Sequence, residues 1–475
     1  MAMGKRKKEK QGEFWIASQD IAVSPGNAFY ERLNQILDAH KFDRKVELIC
    51  RKFYKKSQYG RPSMAPGVYF RIMLIGYFEG LDSERGIAWR IADSLSLRRF
   101  LGFGLDEQTP DHSTISKTRR LYWLETHKAV FGWVIGVLTG AGLIQGQTIA
   151  IDATTLEANA AMKSIVRRDN GQSYNEYLKD LAAKAGMEEP TREELARMDR
   201  KRKKKAANDE WMSPSDPDAR IAKMKDGRTH LAHKAEHAVD LSSGALIAVT
   251  LQPASAGDTA TVHNTLAEAQ TEARKIHPLG VGELVADKGY HSGEVLKQLH
   301  VGGVRSYLPE PLRGKRNWAG KQLEQKRTHE NRRRVKGCRG KRLQKLRSEL
   351  TERTFAHLYG TGAMRRVHLR GTQNILKRLL IHAAAFNLSL ILRKQLGAGK
   401  PKEIQSLCIH ILQQFRNVWR ALFPNYNSAP TQQTHFIPQS CCRDSHTALD
   451  PMNAFRCQAL IKSTGCYGPA GHGSG

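Results

Sequence analysis

Thr148-Ile149-Ala150-Ile151-Asp152 is an apolar run closed by a carboxylate, and Glu283-Leu284-Val285-Ala286-Asp287 repeats that pattern downstream. In an extended strand the side chains alternate between faces. Ile149 and Ile151 therefore share one face and Asp152 takes the other, at the strand's open end. An Asp closing a buried strand is costly to desolvate unless it is solvated at the rim, paired, or bound to a cation. Two such strands in one sheet bring two carboxylates together, and their repulsion favours a divalent metal. Hard oxygen ligands select Mg²⁺ or Mn²⁺ over zinc.

Working outward, THLAHKAEHAVDL, the turn Ser242-Ser243-Gly244 and ALIAVTLQP read as a hairpin, and TATVHNTLAEAQTEARKI as a helix. Beyond Asp287 follow a helix (GEVLKQLH), a strand (VRSYLP) and a long basic helical stretch from about Lys321 to Tyr359. Residues 161–215 are polar and helix-like, carry the basic run Arg200 to Lys205, and look inserted between strands. The order strand, insertion, hairpin, helix, strand, helix, strand, helix predicts an α/β domain over residues 147–395, a mixed sheet flanked by helices.

Upstream, residues 1–59 read as a basic, partly helical lead-in and 60–146 as an all-α domain, with apolar residues at three- and four-residue steps. Thr109-Pro110-Asp111-His112-Ser113-Thr114 is a helix-start signal, followed by a helix bearing Lys117, Arg119 and Arg120. Either this is a helix-turn-helix entering the DNA major groove, or it is an ordinary basic face of a helical bundle. Residues 396–475 form an appendage whose tail after Pro424 is rich in Ser, Gln, Cys, Gly and Pro and is expected to be partly disordered.

Charge narrows the partner. The 475 residues hold 76 Lys and Arg against 46 Asp and Glu, a formal charge of +30. Such an excess calls for a polyanion or a membrane surface. The longest strongly apolar run, Leu379 to Leu392, is interrupted by His382 and Asn387 and is short for a bilayer span. The N-terminus lacks the apolar core of a signal peptide. Seven irregularly spaced cysteines do not form a disulfide framework and fit a reducing, cytoplasmic setting. Nucleic acid is the expected partner. From Arg313 to Arg347 there are fifteen Lys and Arg against two acids, and Arg332, Arg333 and Arg334 are the densest cluster for backbone phosphates. Glu352 then stands either as an intrahelical partner of Arg347 or Arg353, or as a third metal-binding carboxylate.

These residues carry a family resemblance. GRPSMAPGVYFRIMLIGYFEGLDSERGIAWRIADSLSLRRFLGF and TPDHSTISKTRR resemble the N-terminal domain of InsH-like insertion-sequence transposases of bacteria. IAIDATTLEANA, DPDARIAKMKDGRTHLAHKAEHAVD, GDTATV, LVADKGYHSGEVL and ERTFAHLYGTGAMRRVHLRG resemble successive blocks of that group's DDE catalytic domain. The resemblance spans residues 60 to 390. It implies a ribonuclease-H-like catalytic fold with Asp152, Asp287 and Glu352 as catalytic acids, and two Mg²⁺ or Mn²⁺ ions about 3.5–4 Å apart. Asp152 would bridge both ions, with Asp287 on one and Glu352 on the other. It further implies double-stranded DNA partners (element ends and target) and a homodimer or higher assembly on DNA; the hydropathy pattern predicts no membrane partner, and with no P-loop motif in the sequence no nucleotide cofactor is expected.

One departure stands out. Many relatives carry Tyr, Arg and Lys at fixed offsets around the last acid, where this chain has Lys345, Ser348 and Tyr359. Arg347 and Arg353 are the substitutes as phosphate contacts, and Glu349 is the rival third acid. Other signals carry less. The glycines at 140, 142 and 146 read as a helix-ending loop. His230, His233 and His237 suit packing or backbone contact better than metal binding. Cys441, Cys442, Cys457 and Cys466 with His446 lack zinc-module spacing. Tyr290 and His291 either touch substrate or pack. The competing functions are a nuclease of the same fold without strand transfer and a catalytically inactive DNA-binding protein.

Overall fold

The computed structural model describes residues 27–54, 63–202, 206–224, 227–312, 314 and 316–404. The first 26 residues, Gly60-Arg61-Pro62 at the start of the expected helical domain, Lys203 to Lys205 of the basic run, Arg313 and the Cys-containing tail lie outside them.

The chain opens with helices α1 (Ala28–Ala39), α2 (Phe42–Cys50), α3 (Pro66–Phe78), α4 (Glu84–Ala92), α5 (Leu95–Leu101), α6 (His112–Leu121) and α7 (Leu124–Gly140). Asn27, Ser83, Ser94 and Asp111 each accept a hydrogen bond from a first-turn N–H, which sets the starts of α1, α4, α5 and α6. α3 is apolar on nearly every side and is buried accordingly. α6 begins where the Thr109–Asp111 signal placed it. The segment from Gly102 to Asp111 that joins it to α5 is longer than the turn of about three or four residues in a helix-turn-helix. Of the two readings left open for this stretch, that spacing and the packing of α6 on α4 favour the basic face of a helical bundle.

β1 (Thr148–Glu157) follows the loop after α7, whose Gly142 and Gly146 adopt positive φ. The insertion comprises β2 (Val166–Arg167), α8 (Tyr174–Lys184), α9 (Arg192–Lys201) and β3 (Trp211–Met212), with capping boxes at Ser173 and Thr191. Then come β4 (Arg220–Lys223), β5 (Thr229–Asp240), β6 (Leu246–Pro253), α10 (Asp258–Ile276), β7 (Glu283–Ala286), α11 (Gly293–Val301), β8 (Arg305–Tyr307), α12 (Gln322–Lys336), α13 (Cys338–Phe355) and α14 (Thr372–Leu396). The expected single basic helix is two helices, broken at Gly337, whose extended backbone starts α13 afresh.

The main sheet runs β6-β5-β1-β7-β8, with β4 pairing the same edge of β5 beyond β6. β6, β5 and β1 are antiparallel neighbours, while β7 and β8 continue parallel to β1. β1 does not end at Asp152: after β7 has diverged, residues 153–157 keep pairing with β5. α10 covers one face and α13 the other. α14 packs against α3, α7 and β6, so one continuous apolar core runs from Phe29 to Leu392. α14 is long and apolar enough to cross a membrane, but 89% of its most apolar window is buried inside the protein. Asn387, the polar break in that run, hydrogen-bonds both backbone groups of Leu246 at 2.8 and 2.9 Å. It thereby satisfies edge groups of β6 that would otherwise be buried unpaired.

Candidate active site

The parallel pairing of β1 with β7 sets Ile151 opposite Ala286, so Asp152 and Asp287 emerge side by side where β7 gives way to a turn. Asp287 caps that turn, its Oδ1 accepting from the Gly289 N–H at 2.8 Å. Asp152 is largely buried and accepts from the Ala153 N–H at 2.9 Å. Burial holds its carboxyl above the ordinary Asp range and the Asp287 charge adds to this, while Arg347, Ala153 and Thr351 oppose.

α13 lies over this pair. Gln344 donates to the carbonyls of Ala286 (3.3 Å) and Tyr307 (2.7 Å). Arg347 Nη1 and the Thr351 hydroxyl both donate to Asp152 Oδ2, at 2.8 and 3.2 Å. These three residues recur at three- and four-residue steps and define the sheet-facing stripe. Glu352, about 100° further round the helix, is exposed at the rim. It lines a cavity of about 440 Å³ with Thr154, Thr155, His230 and Phe355. Glu349 is exposed on the side away from the sheet. The structure thus brings Asp152 and Asp287 together. Among the described residues, no three His, Cys, Asp or Glu side chains form a cluster able to hold a metal, so Glu352 stands apart from the pair.

The end of α13 is fastened from below. His237, opposite Asp152 on β5, hydrogen-bonds Thr354 Oγ1 through Nδ1 (2.9 Å) and Tyr359 OH through Nε2 (2.5 Å). The Thr354 hydroxyl donates to the Thr351 carbonyl, so it accepts from His237 Nδ1–H and Nε2 accepts from Tyr359. Burial pushes His237 down to about 3, consistent with that neutral form. Tyr359 sits in a π-helical turn, Ala356–Thr361, that ends α13. Tyr359, at the position where the resemblance implied a Lys, is thus a buried Tyr with a structural bond.

The basic residues divide into several groups. Lys117 and Arg120 are exposed on α6. Arg119, expected beside them as a DNA contact, is buried and paired at 2.6 Å with Glu84, whose side chain is mostly enclosed. Its own carbonyl accepts from Lys377 Nζ at 3.2 Å. A guanidinium so enclosed has no free donor fork to offer a base, so Arg119 is removed from the expected reader set. Arg332 pairs with Glu310 while remaining partly exposed, and Arg333 is exposed. Arg334 donates to Ser306 O and Oγ, each at 3.0 Å, and holds β8. Arg353 lies against Gly244 in the β5–β6 turn. Arg334 is therefore a structural side chain, contrary to the expected phosphate contact. Arg333, Lys336, Lys341, Arg342 and Lys345 are exposed along α12 and α13, with no ion-pair partner among the described residues.

His233 pairs with buried Asp216 at 2.9 Å, and Tyr290 is buried with its hydroxyl on Glu236. Sequence reasoning missed Lys234 and Glu236, which both face α10 from β5. Two opposite charges at i and i+2 within an otherwise buried strand were the available signal.

A family profile described as Transposase domain (DUF772) matches residues 18–121. One described as Transposase DDE domain matches residues 145–388, just over half of the chain and every strand of the sheet. No curated protein matches the chain. A helical N-terminal region followed by a mixed sheet with paired strand-end acids fits both profiles in order and extent, and the chain belongs to the DDE transposases of insertion sequences.

Proposed function

We propose that this transposase binds the ends of its insertion sequence and catalyses metal-dependent DNA cleavage and strand transfer, with Asp152, Asp287 and Glu352 as its catalytic acids. The observation that carries the reading is the juxtaposition of Asp152 and Asp287 at the diverging ends of β1 and β7. An antiparallel trio (β6, β5, β1) continued by two parallel strands supports a ribonuclease-H-like catalytic domain over residues 147–395. The helical residues 60–146 would serve DNA binding.

The donor set fits hard divalent cations. Two carboxylates repel each other in a partly desolvated cleft, and a cation from the chain itself, Arg347, already compensates one of them. Asp152 and Asp287 would hold Mg²⁺ or Mn²⁺, with Glu352 as the third carboxylate. When bound, two such ions would activate the attacking water or 3′-hydroxyl and stabilise the leaving 3′-oxygen. The chain's own work is orientation. Thr351, Gln344 and the His237–Thr354–Tyr359 bonds fix α13 against the sheet, and the exposed cations of α12 and α13 would track backbone phosphates. Handling two DNA ends calls for at least a dimer.

Cleavage of an end-sequence duplex tests the assignment. Asp152→Ala, Asp287→Ala and Glu352→Ala should each abolish cleavage and leave duplex binding nearly intact, whereas Glu349→Ala should cleave normally. Normal cleavage by Glu352→Ala with loss in Glu349→Ala would transfer the third role to Glu349.

A further inference from the structure

Behind the acid pair, on the opposite face of the sheet, β5 carries a buried polar assembly. Glu236 pairs with Ala153 and so faces α10, away from Asp152. Its side chain is fully buried and both oxygens are occupied. Oε2 accepts from Thr265 Oγ1 at 2.5 Å, while Oε1 meets the Thr261 hydroxyl, Tyr290 OH (3.3 Å) and Lys234 Nζ (3.0 Å). Lys234 Nζ also donates to Asp258 Oδ1 (2.6 Å), Thr261 Oγ1 (2.9 Å) and the Ala256 carbonyl (3.3 Å). Tyr290 and Gly289 belong to the turn that Asp287 caps. A Cβ at residue 289 would overlap Asp258 Oδ2. Asp258 therefore backs one side of the turn while Glu236 holds Tyr290 on the other.

Burying a Lys and a Glu costs more than packing apolar side chains of similar volume. A strand that only needed a core could have placed Val or Leu at both positions. Most of these contacts tie β5 to α10 and its start, and two reach the turn after β7: the Tyr290 hydroxyl on Glu236 and the close approach of Asp258 to Gly289.

We propose that Lys234, Glu236 and Asp258 form a positioning assembly that fixes Asp287 through Tyr290 and Gly289. This rests on the reading above that Asp287 is a metal-binding acid. Groups that orient a ligand's own support influence metal affinity by about tenfold or more when removed. The assembly acts through the turn and does not itself touch substrate.

Two readouts separate positioning from mere stability: the Mn²⁺ concentration for half-maximal cleavage, and the rise in Tm that Mn²⁺ produces in DNA-free protein. Tyr290→Phe deletes one hydroxyl, and Thr261→Val deletes the bridge between Lys234 and Glu236. Each should raise the Mn²⁺ requirement about tenfold and shrink the Mn²⁺-dependent Tm rise. Thr261→Ser, which keeps the hydroxyl, should behave as wild type. Should the core variants fail to fold, Gly289→Ala at the exposed turn remains: its methyl displaces the turn from Asp258 and should raise the Mn²⁺ requirement likewise. An unchanged Mn²⁺ requirement in the folded variants, with only the metal-free Tm lowered, overturns the proposal. Asp287→Ala keeps the two readings distinct. If it too cleaves with a wild-type Mn²⁺ requirement, the assignment of Asp287 fails, whereas an inactive Asp287→Ala beside an indifferent Tyr290→Phe removes only the positioning assembly.

Discussion

Arg347 donates from Nη1 to Asp152 Oδ2 across 2.8 Å, so the central carboxylate of the cleft meets a cation supplied by the neighbouring helix. Both side chains are mostly enclosed, at 14% and 22% exposure. The guanidinium and an incoming metal would compete for the same oxygen. Arg347→Ala should therefore strengthen Mn²⁺ binding by the DNA-free protein, by roughly tenfold, equivalent to about 1.4 kcal/mol. Titration of free Mn²⁺ by its paramagnetic resonance signal measures this directly. Weaker binding in the variant would mean that Arg347 orients Asp152 and does not screen it.

The pH dependence of stability follows from the same carboxyl. Burial raises the folded-state pKa of Asp152 above its unfolded value. Between those two values the folded protein binds more protons than the unfolded chain, so stability falls as pH rises through that window. Asp152→Asn removes the buried charge while its amide oxygen still accepts from Arg347. The variant should gain about 1 kcal/mol at neutral pH, the usual trade at a functional site. That gain should disappear as acid protonates the wild-type carboxyl. Thermal melts of both proteins from neutral pH downward test this, and a gain independent of pH would contradict it.

Arg119 and Arg120 are adjacent, yet they should behave oppositely. Arg119→Ala leaves the mostly enclosed Glu84 unpaired, which costs about 3–5 kcal/mol and should appear as a large loss of Tm. Arg120→Ala should leave Tm unchanged and lower affinity for element ends more than for scrambled duplex, by about 1–3 kcal/mol if it reads guanine. Equal losses on both duplexes would make Arg120 a phosphate contact.

The exposed cations of α12 and α13 should bind DNA without reading it. Replacing Arg333, Lys341 and Arg342 together by Ala should weaken binding to every duplex. The slope of log affinity against log salt should flatten by about 0.9 for each phosphate that the protein no longer neutralises. Arg334→Ala, by contrast, should lower stability by about 1 kcal/mol, because its partner is Ser306.

Much of this architecture is legible in the sequence. Asp152 and Asp287 announce themselves because each closes an apolar run, and the order of strands and helices predicts the mixed sheet. Arg119 is not legible as a core residue, because helix phase alone cannot say which of two adjacent arginines meets Glu84 on another helix. The bond of His237 to Tyr359 spans 122 residues, beyond any local pattern. The length of β1 depends on β5 keeping its pairing after β7 has left, which is a property of the sheet and not of the segment. Lys234 and Glu236, opposite charges two residues apart, mark one face of β5, but that α10 covers this face is set by the fold and not by the strand itself.

The most direct measurement is a joining assay with a pre-cleaved element-end duplex bearing a free 3′-hydroxyl, supercoiled target DNA and Mg²⁺. The wild-type protein should covalently join the end to the target. Asp152→Ala, Asp287→Ala and Glu352→Ala should yield no joined product while still shifting the duplex in a binding assay. Joined product from any of the three would contradict the assignment of these acids, and wild-type protein that only nicks DNA without joining would contradict strand transfer itself.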